Sequence, residues 1–200
     1  MGFLSAGYNH IKIMPYELVN FVELRIEKKL NEHVQLHFTG VLPENQKDEY
    51  VDRTKKGTLL EVSKIEASHC IPLFKGIAVN VRIKSVNKIY YIEVDAFSPT
   101  YEMDIKLKNR SFQNSDMTCK ELVSEVISSY KGSDSIISHG DGRSIEKFIV
   151  QYNETDWQFL KRAASRFGEP LIAGSVYDCP KFYIGIPENN ENVSINNCNY

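Results

Sequence analysis

"FIVQYNETDWQFLKRAASRFG", residues 148–168, decides how this chain is read. It opens with the alternation of a strand, passes a polar hinge, and then starts a helix. Thr155 and Gln158 have capping-box spacing, in which a hydroxyl and an amide satisfy the free N–H groups of a helix start. Trp157, Leu160, Ala164 and Phe167 recur on one face, and Gly168 with Pro170 predicts the end. Lys161, Arg162 and Arg166 fall largely off that face, and Lys147 precedes the strand. Such a helix either grips an anion with its basic side or packs its aromatic side on a sheet. Composition favours a solvated basic side opposite a packed one. Glu154 and Asp156 sit at the helix start, where the macrodipole favours negative charge, and that stabilising role is sufficient for both.

The rest of the chain sets limits on partners. Of 200 residues, 42% are hydrophobic and 25% charged, as in an ordinary globular protein. Twenty-four basic against 26 acidic side chains leave a net charge of −2, which gives no electrostatic case for nucleic acid or a membrane surface. The start, MGFLSAGYNHIKIMPYELV, lacks the basic and unbroken apolar regions of a signal peptide. No apolar run approaches the ~20 residues that cross a bilayer. Cys70, Cys119, Cys179 and Cys198 have no CxxC spacing and read as reduced thiols. Cytoplasmic synthesis is expected.

Upstream, the pattern is that of strands. "FVELRIEKK" puts Val22, Leu24 and Ile26 on one face against Glu23, Arg25 and Glu27, and "VQLHFTGV" repeats this with Val34, Leu36 and Phe38, predicting a hairpin. Pro43 to Thr54 suits a short helix or loop. "FKGIAVNVRIKS" and "NKIYYIEVDAFS" predict two more strands, split near Asn87, a residue that tolerates a left-handed turn. "TYEMDIKLKNRSF" alternates Met103, Ile105 and Leu107 against Asp104, Lys106 and Lys108 as a further strand. Four to six antiparallel strands in this half suffice for a barrel or sandwich. Next, Thr118 and Glu121 start a helix with the apolar stripe Leu122, Val123, Val126, Ile127 and Tyr130, and Gly132 is a plausible stop. "GSDSIISHGDGRSIEK" reads as turns, "KFIVQY" and "KFYIGIPE" as strands, and the Asn-rich tail ends without a closing element, as a truncated chain would.

No residue set argues for catalysis. His33 and His37 have metal-pair spacing only on a helix; in a hairpin, four residues span ~13 Å, too far to share zinc, so they read as exposed strand histidines. "SHGDGR", Ser138 to Arg143, holds Ser, His139 and Asp141, but a triad is assembled from separate loops, and turn chemistry explains the run. P-loop, GxGxxG, HExxH and zinc spacings are all missing. Tyr90 and Tyr91 fall on opposite strand faces and make no flat sugar platform. Catalytic, cofactor and metal residues are therefore expected to be none.

Taken in order, "RSFQNSDMTCKELVSEVISSY", "KFIVQYNETDWQFLKRAASRFGEPLI" and "FYIGIP" resemble the tail-hub proteins of contractile injection systems, the VgrG and phage late-control protein D family. "IPLFKGIAVNVRI" and "YYIEVDAFSPTYEMDIK" look like the preceding hub strands, so the resemblance runs from about Tyr16 to Pro187. Its most specific part is Gln151 to Leu160, with Gln151, Tyr152, Glu154, Thr155, Asp156, Trp157, Phe159 and Leu160 as a structural signature. The resemblance implies an α+β fold: an antiparallel β-barrel-like hub domain over residues 1–110, then a smaller, incomplete α/β domain over 111–200. It implies homotrimers that join a tail tube to a spike, with tube, spike and baseplate proteins as partners and no enzyme activity in this half. Nucleic-acid binding and membrane insertion are not implied, and the product would be assembled into a phage tail or injection particle. The family's second barrel, OB-fold neck and β-helical spike have no counterpart up to Tyr200. A cell-wall-directed carbohydrate-binding or hydrolytic tail component is the alternative.

Overall fold

Period-two alternation builds the first layer. A computed structural model describes residues 10–44, 57–66, 69–138 and 142–187. Six strands, β1 (Ile11–Met14), β2 (Asn20–Glu27), β3 (Gln35–Val41), β4 (Leu59–Glu66), β5 (His69–Val86) and β6 (Ile89–Phe97), form one antiparallel sheet in the order β1-β4-β5-β6-β3-β2. The sheet curls into a half-barrel. Leu36, Phe38, Leu60, Val62, Phe74, Ile92 and Val94 line its buried face. The β5–β6 hairpin turns at Asn87 and Lys88, whose φ of 51° and 66° give the left-handed turn expected there.

The β2–β3 hairpin forms as expected, with a change of phase. The register shifts between Phe21 and Glu23, so Val22 is bulged outward and 54% exposed, and Phe21 joins Leu24 and Ile26 against the core. A bulge places two residues opposite one and flips the alternation upstream of it, which simple periodicity misses.

Gly76 marks the closest approach inside the half-barrel. A Cβ there would stand 2.2 Å from the Phe97 carbonyl oxygen and 2.5 Å from the Phe74 ring. Backbone cannot yield as a flexible side chain does, so Gly76→Ala is expected to cost about 2 kcal/mol, checked by urea unfolding. A variant as stable as the parent would disprove this approach.

After Phe97 the architecture changes. "TYEMDIKLKNRSF" is not one strand. Pro99–Asp104 is a 3-10 helix with proline at its start, where the missing N–H costs nothing, and only Leu107–Phe112 extends as β7. This turn resets the phase: Leu107 is 59% exposed, while Lys108, Arg110 and Phe112 face inward. Helix α1 (Cys119–Ile127) begins with the Thr118–Glu121 capping box and buries Leu122, Val123, Val126 and Ile127. It ends at Ser128, and Gly132 takes its positive φ in the following turn.

"SDSII" contains a short strand that the turn-rich context hid, β8 (Asp134–Ile137). β9 (Ile149–Thr155) pairs antiparallel with β7, and α2 (Asp156–Arg166) follows directly. β10 (Leu171–Ala173) and β11 (Lys181–Ile184) complete a three-stranded sheet in the order β10-β11-β8, where β8 runs parallel to β11. Gly168, with φ of 76°, turns the chain out of α2. One apolar cluster runs from Ile13 to Ile184. Most of Pro43–Thr54, the pair His139 and Asp141, and the Asn-rich tail with Cys198 lie outside the described residues.

Candidate functional site

The segment Gln151–Leu160 turns nearly all of its chemistry inward. Its capping box is present: Thr155 Oγ1 accepts the Gln158 N–H at 3.1 Å, and Gln158 Oε1 accepts the Thr155 N–H at 3.1 Å. Gln151, Asp156, Phe159 and Leu160 have no exposed surface, and Trp157 is also buried. Trp157 meets Phe182 of β11 edge-on at 5.9 Å, and Phe159 stacks on Phe112 of β7 at 5.3 Å. Tyr152 alone of the eight signature positions stands well out, at 76% exposure.

Asp156 does far more than face a helix dipole. Its Oδ2 accepts from Lys108 Nζ at 2.6 Å and from the Tyr130 hydroxyl at 2.7 Å. Its Oδ1 accepts from Gln151 Nε2 at 3.0 Å and from Arg110 Nη2. Arg110 Nε also donates to Gln151 Oε1 at 2.8 Å, closing a ring of bonds among β7, β9 and α2. Burial alone pushes the Asp156 carboxyl up, but the bonds from Lys108, Gln151 and Tyr130 and the charge of Arg110 outweigh it and hold it below the usual carboxylate range. Burial, followed by the bond to Asp156, pushes the Tyr130 phenol well above its ordinary value. These shifts mark a static charge-paired cluster: every lone pair of the carboxylate is directed at a protein donor, leaving none for a proton in transit.

On the basic side of α2, Arg162 is committed to internal partners. Arg162 holds Glu154 through two bonds, at 2.9 and 2.8 Å, donates to the Val150 carbonyl at 2.7 Å, and lies over the Phe159 ring. Arg143 donates to the Phe167 carbonyl at 3.2 Å. Arg166 is exposed.

The two histidines are not exposed strand residues. His33 lies in the β2–β3 turn, 8% exposed, between Thr100, Asp104 and Trp157. His37 is half-buried, with Nδ1 2.7 Å from Asp95 Oδ1, while Asn80 donates to Asp95 Oδ2 at 2.9 Å. This pair lines a cleft of about 300 Å³ on the polar face of the half-barrel. A base oriented by a carboxylate resembles part of a catalytic device, but the cleft lining holds no Ser, Thr, Cys or Lys to act as nucleophile. Among the described residues, no three His, Cys, Asp or Glu side chains stand together as a metal site, and no helix is long and apolar enough to cross a membrane. Cys70, Cys119 and Cys179 form no disulfide among the described residues.

Sequence reasoning found the helix and its cap but missed Lys108, Arg110 and Tyr130. A signal was present: Gln151 interrupts the inward face of "IVQY", as Arg110 interrupts that of "KNRSF". Two polar residues on the buried faces of two strands imply a shared buried partner.

No protein-family model matches the sequence, and no curated protein matches it. Solved structures do. A tail protein from Neisseria meningitidis MC58 matches with a TM-score of 0.61 and 12% identity, over 88% of this chain and 49% of that one. The 43 kDa tail protein of prophage MuSo2 from Shewanella oneidensis matches with a TM-score of 0.59 and 14% identity, over 86% of this chain and 54% of that one. The E. coli c3393 protein is a component of the type VI secretion system with structural similarity to the T4 bacteriophage tail proteins gp27 and gp5. It matches with a TM-score of 0.55 and 14% identity, over 86% of this chain and 48% of that one. The chain thus spans about half the length of these proteins, and it has their fold.

Proposed function

We propose that this chain is a structural tail-hub subunit of a contractile injection system, of the VgrG and late-control protein D type, joining a tail tube to a spike. The observation that carries this reading is the tail-protein fold, combined with a signature segment whose polar groups are committed to internal bonds. A segment so used holds a shape and performs no chemistry. In the whole protein the subunit works as a homotrimer with tube, spike and baseplate proteins, independent of nucleic acid and of membrane insertion. It is made in the cytoplasm and assembled into a phage tail or injection particle.

A division close to residue 110, into a half-barrel hub domain and an α/β domain, is supported by strand pairing. Every described strand up to Phe97 pairs within the six-stranded sheet, and every strand from Leu107 onward pairs outside it. Light scattering on the full-length natural protein tests the reading: the mass of three copies is expected, and a monomer at high concentration would overturn it.

A further inference from the structure

The β2–β3 turn delivers one imidazole into the seam between the half-barrel and α2. The His33 ring lies over Trp157 at 4.5 Å, meets Tyr101 edge-on at 5.8 Å, and has Phe97 of β6 at 6.1 Å. Nε2 stands 3.3 Å from Asp104 Oδ2, and an ionised carboxylate only accepts, so Nε2 carries a proton. Asp104 in turn accepts from Thr155 Oγ1, the cap of α2. Nδ1 stands 2.9 Å from Thr100 Oγ1, which lies 2.8 Å from Ser98 Oγ, which accepts the Val34 N–H at 3.1 Å. Ser98 and Thr100 have no exposed surface.

Neutral His33 gives this row of groups a complete assignment. Val34 N–H donates to Ser98, the Ser98 hydroxyl to Thr100, the Thr100 hydroxyl to Nδ1, and Nε2–H to Asp104. A protonated imidazole donates from both nitrogens. Thr100 Oγ1 must then accept from Nδ1, so one hydroxyl proton of the Ser98–Thr100 pair is displaced from its acceptor in this row, at a position closed to solvent. We propose that His33 is a proton-operated latch: neutral, it fastens the β2–β3 turn to the 3-10 helix and to α2, and protonated, it releases that seam.

The charged groups facing the ring are Glu32 from its own turn, Asp104 from the 3-10 helix and Lys161 from α2. Burial is the largest influence and disfavours the charged ring, as does Lys161; Asp104 and Glu32 oppose them and are outweighed, so His33 titrates below the ordinary histidine value. A depressed pKa means that the unfolded chain takes the proton more readily than the folded one. The latch therefore contributes fully above the ordinary value and is lost as pH falls through the folded value.

Trp157 is the chain's single tryptophan, so its emission reports on the ring beside it. Between about pH 8 and pH 5, its fluorescence and the amide-exchange protection of the β2–β3 turn are expected to change together, with a midpoint below that of free histidine. Lys161→Glu removes an opposing charge and should move the midpoint upward while leaving the core untouched. His33→Gln, neutral throughout, should abolish the transition. The His33 ring resonance, identified by its contact with Trp157, gives the midpoint directly in the parent protein, whether or not His33→Gln folds. A midpoint at or above the free-histidine value, or one that Lys161→Glu does not move, would overturn the latch.

Discussion

Replacing Asp156 with alanine is expected to destabilise the chain by about 3 kcal/mol, read as a lower urea midpoint at unchanged slope. The carboxylate has no exposed surface and receives Lys108, Arg110, Tyr130 and Gln151 at once. Without it, two cations face each other with no counter-charge, and two further donors lose their acceptor. Removing one partner of a buried ion pair commonly costs about 3–5 kcal/mol. The lower end applies because Lys108 and Arg110 are 26% and 24% exposed and recover some water. The pH dependence has a definite sign. The folded pKa of Asp156 is lowered, so its stabilisation is present above the ordinary carboxylate range and lost as pH falls through the folded value. The gap between parent and variant should therefore close in acid. A loss under about 1 kcal/mol near neutral pH would instead mean that the cluster behaves as an exposed surface pair.

That cluster also shows where sequence reading stops. Both capping boxes and the Asn87 turn were legible because a few adjacent residues decide them. Lys108, Arg110, Tyr130, Gln151 and Asp156 come from β7, the turn after α1, β9 and α2, and no local pattern states that they meet. The inward phase of β7 was misread for a related cause. Hydrophobic alternation assigns Leu107 to the core, but here the buried face is built around a charge, so Lys108 turns in and Leu107 turns out. Hairpin spacing predicts an exposed strand histidine at His33; its burial depends on Trp157, 124 positions later in the chain. The order of whole elements tolerates such local errors: the half-barrel and the likeness to solved tail proteins follow from it, although the chain is mostly β with few helices.

The second large effect is expected at Trp157. Trp157→Ala should cost about 4 kcal/mol, against less than about 0.5 kcal/mol for Tyr152→Ala five positions earlier. Both aromatics belong to the same capped segment, so composition and family resemblance treat them alike; only burial separates them. Trp157 packs 4.5 Å from the His33 ring of the half-barrel and perpendicular to Phe182 of the three-stranded sheet at 5.9 Å, so its removal opens a void where the two sheets and α2 meet. Rigid neighbours collapse poorly into such a gap, because the His33 ring is held by Thr100 and Asp104. Tyr152, 76% exposed, leaves no void when it is trimmed. Unfolding both variants in urea therefore tests the central reading of residues 148–168 as a packing device. Equal and small losses would mean that the aromatic side of α2 is not buried as described and that the helix is held for its basic side instead. A large loss at Trp157 with none at Tyr152 would leave Tyr152, with Phe148 just ahead of the same strand, as the exposed aromatics of residues 148–168 available to a partner.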